Sequence, residues 1–472
     1  MNITFDKIPS SIRTPGKYIE FYTRAALKSL PANRQRTVLV APKLTNVLTS
    51  NASQVVDVYS DEEAAAYCGY GSVGHLMARA FIRANPYGAL SLVLLADDAA
   101  GLEASGKITL ANNATTSGTL TVSIGAETLR LAVDAGTTPA AAAAKVVAAI
   151  AAQPALPVTA AAAGGEVTFA AKHKAAVGND IKLGATLTAE GMTVAVTAMA
   201  GGANDASLQP ALDAIQAAGH DLVVCPFATS AAALELREHL EFVGGPREKR
   251  WALGTLAHTG TLASAMGLQA AVNSEWISMA WYRGAKRLPA EIAAAYAAVI
   301  ASEEDPARPL NTLELVGLDV VDVTQQASTT EVENALWNGI TPLEVGEGNR
   351  VVISRAITTY TKTVDGTPDP TMLDITTPRS LIYGAKAVLQ KLNREFPREK
   401  RSHRTQEKVW SACYDVALRL EELEIFQNVE QHKNELVVQG DGQDVTRFNI
   451  RIPSSVVPGA HIFAVRMDLI LE

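Results

Sequence analysis

The sequence predicts an α/β core that is interrupted by a small β-rich domain and followed by an α+β C-terminal domain. Apolar runs of strand length alternate with amphipathic helical patterns on both sides of the interruption, which is typical of a parallel sheet covered by helices. Residues 101–207 differ, since Phe169 is their single aromatic residue and their apolar positions alternate in short runs. Beyond residue 310, long helical patterns come before further strand patterns.

The core domain is expected to be discontinuous, comprising residues 31–100 and 208–310. The run LSLVLLADD before the interruption indicates a buried strand, and residues 208–227 indicate a helix followed by a second buried strand. Together they make one βαβ unit, whose crossover connection tolerates an insertion better than a strand would. The alternation continues through SAAALELREHLEFV, RWALGTLA, TLASAMGLQAAVNS, WISMAWYR and LPAEIAAAYAAVIAS.

The inserted domain, residues 101–207, is expected to be β-sandwich-like. Its strand patterns are separated by Gly, Asn and Thr turns: GKITL, GTLTVSIG, ETLRLAV, GEVTFAAK and MTVAVTAM. One Ala-rich helix interrupts them, with Thr138 as the N-cap, Pro139 at the first helical position and Pro154 beyond the end.

The C-terminal domain, residues 311–445, is expected to open with a long strand, NRVVISRAITTYTKT, before two helices, RSLIYGAKAVLQKLNREF and EKVWSACYDVALRLEELEIF. Strand patterns close the chain at ELVVQ, VTRFNIRIP and HIFAVRMDLILE, so residues 446–472 are expected to form C-terminal strands and an arm. The pattern KYIEFYTR lies in a matching N-terminal arm, residues 1–30. Tethers with Pro and Gly join both arms, at Pro15-Gly16 and Pro458-Gly459.

The overall charge argues against two classes of partner. The 472 residues contain 41 Lys+Arg and 49 Asp+Glu, a net charge of −8, so no global basic field favours nucleic acid or an anionic membrane. The longest apolar runs fall short of the ~20 residues that span a bilayer. We therefore expect neither nucleic-acid nor membrane binding. The three cysteines are far apart and odd in number, which favours a reducing compartment.

One glycine motif resembles a dinucleotide-binding fingerprint. Gly69, Gly71 and Gly74 match GxGxxG, but the fingerprint requires a preceding strand. Here Ser60 and Glu63 form a capping-box pattern, which makes the preceding segment a helix and Gly69 its C-terminal glycine. A helix-to-helix turn is therefore expected, and His75 stands where a phosphate-binding loop needs Lys.

Other catalytic and metal-binding patterns are weak. The sequence has no GxSxG, no HExxH and no clustered Cys and His, and His220-Asp221 are neighbours between a helix and a strand. Asp365, Asp369 and Asp374 share a loop with Gly and Pro, without the spacing of a calcium site. We expect no catalytic residues, no metal and no cofactor.

A basic cluster remains, with seven cations against three glutamates: Lys391, Arg394, Arg398, Lys400, Arg401, Arg404 and Lys408. A solvated face, an acidic protein partner or, most distantly, nucleic acid accounts for it.

The N-terminal run FDKIPSSIRTPGKYIEF, residues 5–21, resembles the opening of tail sheath proteins from Mu-like contractile-tailed bacteriophages. Further similarities lie in three stretches, namely Ser60 to Tyr87 with its SDEE, GYGS and NPY sequences, ITTY at 357–360, and MLDITTP at 372–378. The similarity covers nearly all of the chain outside residues 101–207, which resemble the variable, outward-facing insertion of such proteins.

The resemblance implies a structural subunit that polymerises as stacked six-membered rings around a tail tube and contracts without ATP to drive the tube through the host envelope. It also implies a subtilisin-like core without catalytic residues. The implied partners are further copies of the chain, the tail tube protein, and baseplate and tail terminator proteins. The implied location is the virion tail, with the host cytoplasm during assembly. Because the insertion occupies a loop and has few aromatic anchors, we expect polymerisation without it.

In the family, terminal segments add strands to the sheets of neighbouring subunits. The residues that match this role are Tyr18, Ile19, Glu20, Phe21, Tyr22, Ile462, Phe463, Val465, Met467 and Leu469. A tube contact is expected for Arg394, Arg398, Arg401 and Arg404. Two alternatives remain open: a sheath subunit of a bacteriocin or secretion-type contractile machine, and, more distantly, a nucleotide-binding enzyme using the Gly69–Gly74 turn.

Overall fold

The computed structural model describes residues 33–45, 47 and 53–470. Residues 34–383 with 456–470 form one compact unit, and residues 384–455 form a second. The first unit opens with these elements: β1 (Arg36–Lys43), β2 (Val55–Asp57), α1 (Asp61–Cys68), α2 (Val73–Ala84) and β3 (Ala89–Ala96).

The insertion follows β3 and forms two small antiparallel sheets. Its elements are β4 (Ser105–Ala111), β5 (Gly118–Ile124), β6 (Glu127–Val133), α3 (Pro139–Ala151), β7 (Val158–Ala163), β8 (Glu166–Ala171), β9 (Leu183–Leu187) and β10 (Thr193–Ala200). One sheet has the order β10-β4-β8-β7 and the other β6-β5-β9, and α3 packs against β7 and β8. Thr138 caps α3 as predicted, since its hydroxyl accepts from the Ala141 amide.

After the insertion the chain returns to the main sheet. The next elements of this unit are α4 (Gln209–Ile215), β11 (Leu222–Val224), α5 (Ser230–Val243), β12 (Leu253–His258), α6 (Leu262–Val272), β13 (Ile277–Trp281), α7 (Pro289–Ser302), α8 (Thr329–Trp337), β14 (Thr341–Gly346) and β15 (Arg350–Ile353). The sheet has eight strands in the order β15-β14-β13-β12-β11-β1-β3-β2. Its six inner strands are parallel, while β2 and β15 run antiparallel at the edges. The predicted mixed α/β fold is confirmed.

The predicted βαβ unit exists, but its two strands are not neighbours. Both β3 and β11 pair with β1, which lies between them. β1 is not among the predicted strands, although Leu39 and Val40 are fully buried at the centre of the sheet. The crossover through the insertion therefore passes over one strand.

The prediction of a long strand at 349–363 is wrong. Only Arg350–Ile353 forms a strand, and it pairs with β14 in the main sheet, so the sheet extends past the expected domain boundary at residue 310. Downstream the chain leaves β15, because the Thr359 amide donates to Ile277 O at the start of β13.

The C-terminal region contains α9 (Thr376–Glu395), α10 (His403–Glu422), β16 (Val437–Gly440) and β17 (Phe448–Arg451). Val409 and Cys413 of α10 are buried with Leu436 and Val438 in a small core of the second unit. Of the strand predicted at 461–472, residues 461–470 are described, and they have no regular secondary structure. Of the helices described, none is long and apolar enough to cross a membrane.

Candidate functional site

The sequence placed functional residues at both ends of the chain and in one basic cluster. The N-terminal ones, Tyr18 to Tyr22, lie outside the described residues.

The C-terminal segment, defined here as residues 462–470, exposes six large apolar side chains. Five of them are 82–85% exposed and Met467 is 92% exposed: Ile462, Phe463, Val465, Met467, Leu469 and Ile470. Large apolar residues are seldom so exposed in a run, and such a patch usually marks a contact surface.

The segment has two different sides. In an extended chain, alternate residues lie on one side, which here groups Phe463, Val465, Met467 and Leu469. Arg466 and Asp468 lie on the other, where Arg466 Nε is 2.7 Å from Asp468 Oδ1. Ile462 and Ile470 flank this pair on the same side, so one side is apolar throughout and the other is charged at its centre. This is the pattern of a strand that packs mainly on one face.

His461 fixes the start of the segment to the rest of its unit. Its side chain is 11% exposed, and its Nε2 lies 2.6 Å from Asp374 Oδ2. The Nδ1 atom is 2.8 Å from the Asn311 amide nitrogen. The predicted strand residues therefore begin immediately after a buried polar contact.

Asp374 collects four further donor contacts. Its Oδ2 accepts from Arg355 Nη2 at 3.2 Å and Nε at 3.4 Å, and its Oδ1 accepts from the Thr376 amide and hydroxyl at 3.0 and 2.8 Å. Burial alone would raise the pKa of Asp374, but the hydrogen bonds from His461 and Thr376 lower it below its usual value. The carboxylate thus stays ionised although it is buried.

Two of the family-like stretches are in direct contact beside Asp374. Ile357 of ITTY forms a bridge with Asp374 of MLDITTP, and the Thr358 amide donates to Leu373 O. The aspartate loop is therefore more than the turn expected from its Gly and Pro residues. Sequence spacing gave no sign of the partner His461, which is 87 residues away from Asp374.

The basic cluster occupies the ends of α9 and α10 and the connection between them. Arg394 lies 3.5 Å from Glu395, and Arg401 donates to Asp441 O while its guanidinium lies over the Phe448 ring. Arg398 and Arg404 are exposed and make no ion pair within the described ranges. Within the part of the chain that the structure describes, two of the four predicted tube-contact arginines thus have no charged partner.

The Gly69–Gly74 turn joins two helices, as predicted. Ser60 accepts from the Glu63 amide at the start of α1, and Gly69, with φ of 90°, donates to Ala65 O at its end. The donors that would face a pyrophosphate are already used: the Gly71 amide donates to His75 Nδ1 and the Val73 amide to His173 Nε2. This turn has no phosphate cradle.

The histidine, aspartate and cysteine side chains considered next are buried or hydrogen-bonded within the fold. Burial lowers the pKa of His220 to about 4, and Asp221 accepts from the Arg36 amide. Burial raises the pKa of Cys225 to about 12. Across the described ranges, no group of three or more His, Cys, Asp or Glu residues could hold a metal ion.

Two family models match this chain. The phage tail sheath protein central domain matches residues 200–359, and the phage tail sheath C-terminal domain matches residues 367–470, together more than half of the chain. The chain belongs to the phage tail sheath family. The stretch MLDITTP and the whole C-terminal segment lie within the second matched range, and ITTY lies at the end of the first, which stops at residue 359.

Individual relatives agree with this assignment. The sheath chain is 26% identical over 489 residues to the Mu-like prophage FluMu tail sheath protein of Haemophilus influenzae, covering 100% of both chains. The predicted family is confirmed. In fold it is similar to sheath tail proteins of Desulfitobacterium hafniense (TM-score 0.52, 15% identity, covering 94% of this chain and 97% of that one) and Listeria innocua (0.51, 14%, 92% and 94%).

Proposed function

We propose that this chain is the subunit of a contractile tail sheath, which polymerises as stacked six-membered rings around a tail tube and contracts without ATP. The main support for this proposal is the exposed C-terminal segment, whose apolar side has no partner in the described part of its own chain. Its match to the tail sheath C-terminal domain supports a role in assembly. The core is proposed to be subtilisin-like and non-enzymatic.

The segment is proposed to act by adding a strand to a neighbouring copy. Residues 462–470 alternate in β-forming apolar residues but leave their backbone donors and acceptors without a ladder. Pairing with the sheet edge of a second copy satisfies those groups, and the apolar side becomes buried. The N-terminal residues Tyr18 to Tyr22 are proposed to act in the same way.

The basic cluster is proposed to face an acidic surface of the tail tube. Arg398 and Arg404 are available for such a contact, since they are exposed and unpaired in the described structure. Long-range attraction between complementary surfaces sets register during association. Baseplate and tail terminator proteins are the proposed partners at the two ends of the polymer, in the virion tail and, during assembly, in the host cytoplasm.

Electron microscopy of purified protein tests the proposal. The full chain is expected to form tubes or rings, and removal of residues 460–472 or 1–24 is expected to leave soluble monomers or isolated rings. Double substitution of Arg398 and Arg404 to Glu should preserve tubes of the sheath alone but weaken co-assembly with tube protein at moderate salt. Contractile tubes from either truncated chain would contradict the strand-addition proposal.

The alternative proposal is a sheath subunit of a bacteriocin or secretion-type contractile machine. Purified particles containing a genome-filled capsid would decide for the phage.

A further inference from the structure

The tether Pro458-Gly459 precedes the C-terminal segment, and its composition predicts a flexible joint. In the structure this tether is closely packed. A Cβ atom on Gly459 would lie 2.7 Å from both Pro309 Cγ and His461 Nε2. A Cβ atom at these distances would force Pro309 or His461 to shift, so the chain runs tightly against its own unit at this position.

Beyond the tether, His461 is held from two sides. Asp374 Oδ2 lies 2.6 Å from Nε2, and the Asn311 amide lies 2.8 Å from Nδ1. One residue later the exposure rises to 85% at Ile462 and stays above 80% at the large apolar residues that follow. The change from fixed to free chain therefore falls between residues 461 and 462.

We propose that Asp374 and His461 form an anchor that fixes the point where the C-terminal segment leaves its subunit. The segment then pivots after His461, and not at Pro458-Gly459. The role of this anchor in the polymer rests on the proposed strand addition. The anchor itself rests only on the contacts of His461 with Asp374 and Asn311.

Asp374 is suited to this task because it joins three parts of the fold. It contacts Arg355 after β15, the first residue of α9 through Thr376, and His461 before the free segment. Tension on a paired C-terminal segment would pass through His461 to the edge of the main sheet and to α9. Without the anchor, the same tension would first straighten residues 456–461, and the neighbour would be held less closely.

The charges around the ring are mixed. Asp374 and Arg355 lie on one side, and Asn311 on the other, where its Oδ1 is buried without a partner in the described structure. Rotation of this amide by half a turn would place Asn311 Oδ1 where it can accept from Nδ1–H of His461. The Asn311 side chain can therefore pair with Nδ1 of His461 in either orientation of its amide.

Histidine footprinting of the full-length protein tests the anchor directly. With diethyl pyrocarbonate, His461 should be modified several-fold more slowly than His403, whose side chain is 82% exposed and serves as an internal reference. Asp374→Asn should raise the rate at His461 towards that of His403. Asp468→Asn, which removes a carboxylate from the exposed Arg466 pair, is the matched control and should change nothing.

Tube growth provides the second measurement. Asp374→Asn and His461→Ala are both expected to yield shorter tubes, and His461→Ala leaves the carboxylate in place if Asp374→Asn fails to fold. Equal modification rates of His461 and His403 in the unaltered chain would overturn the anchor. Slow modification with normal tubes from both variants would overturn its function as the pivot. Normal tubes after removal of residues 462–472 would instead overturn strand addition and leave the footprint unchanged.

Discussion

The sequence predicts that the insertion and the C-terminal segment are both peripheral to the core. In the structure they differ in how extensively they contact it. The insertion is bound to the host domain through buried polar contacts and a shared apolar core. The C-terminal segment has one buried polar contact and then nine residues, six of which have exposed large apolar side chains. Composition thus identifies an unusual region without saying how firmly it is held.

The insertion's attachment centres on Lys172 and His173. Lys172 Nζ donates to Tyr70 O and Pro154 O, and burial lowers its pKa. His173 Nδ1 lies 2.7 Å from Asp97 Oδ1, and its Nε2 accepts from the Val73 amide, the first residue of α2. The insertion therefore completes the Gly69–Gly74 turn of the host.

The largest effect is expected from removing the insertion. Joining Asp97 to Ser207 through a short Gly/Ser linker deletes both Lys172 and His173 and exposes host residues that share a core with the insertion. The expectation from sequence that the insertion is dispensable for polymerisation is revised accordingly: we expect a large loss of stability, seen as a lower melting temperature and low soluble yield. A deletion protein that melts like the full chain would show that the junction contributes nothing.

Acid should weaken the body of the protein by a smaller amount. Burial lowers the pKa values of His220 and His239 to about 4 from 6.5, so between these pH values the unfolded chain binds more protons. Stability is then complete above pH 6.5 and falls as the pH drops towards 4. We expect a loss of about 2–3 kcal/mol for each histidine by pH 4.5, about 5 kcal/mol for the pair, measured by urea unfolding. His239→Gln should flatten this dependence, and a slope equal to that of the unaltered chain would contradict the assignment.

The sequence predicted most elements of the body because hydrophobic periodicity and helix caps are local signals. α5 occurs at the predicted residues, and the Thr138 and Ser60 caps form. It did not predict the position of β1 between β3 and β11, since strand order depends on pairing between distant residues. The family could be recognised from short motifs, one of which contains Asp374. The contact between Asp374 and His461 could not, because no sequence pattern relates His461 to a residue 87 positions away.

A single substitution at the junction should cost less than acid. His173→Ala leaves Asp97 buried without its side-chain partner and leaves the Val73 amide unpaired. Lost hydrogen bonds of this kind cost about 2 kcal/mol. Lys174→Ala is the matched control, because this exposed neighbour contacts Asp97 through its backbone amide, which the substitution retains. Equal stability of the two variants would show that the His173 contacts are energetically neutral.

The smallest effect on stability is expected in the C-terminal segment, where the effect on assembly should be greatest. Val465→Asp places a charge on the apolar side of the segment, at a residue that is 82% exposed and contributes no burial within its own chain. The free energy of unfolding should therefore change by less than about 0.5 kcal/mol, as for other exposed positions. In a polymer held by strand addition the same carboxylate would be buried against a neighbour without a partner, so tube growth should fail. Arg466→Gln, on the charged side, is the matched control and should permit growth. The comparison between the two regions fails if Val465→Asp destabilises the isolated chain as much as His173→Ala does, or if its tubes are normal in length and number.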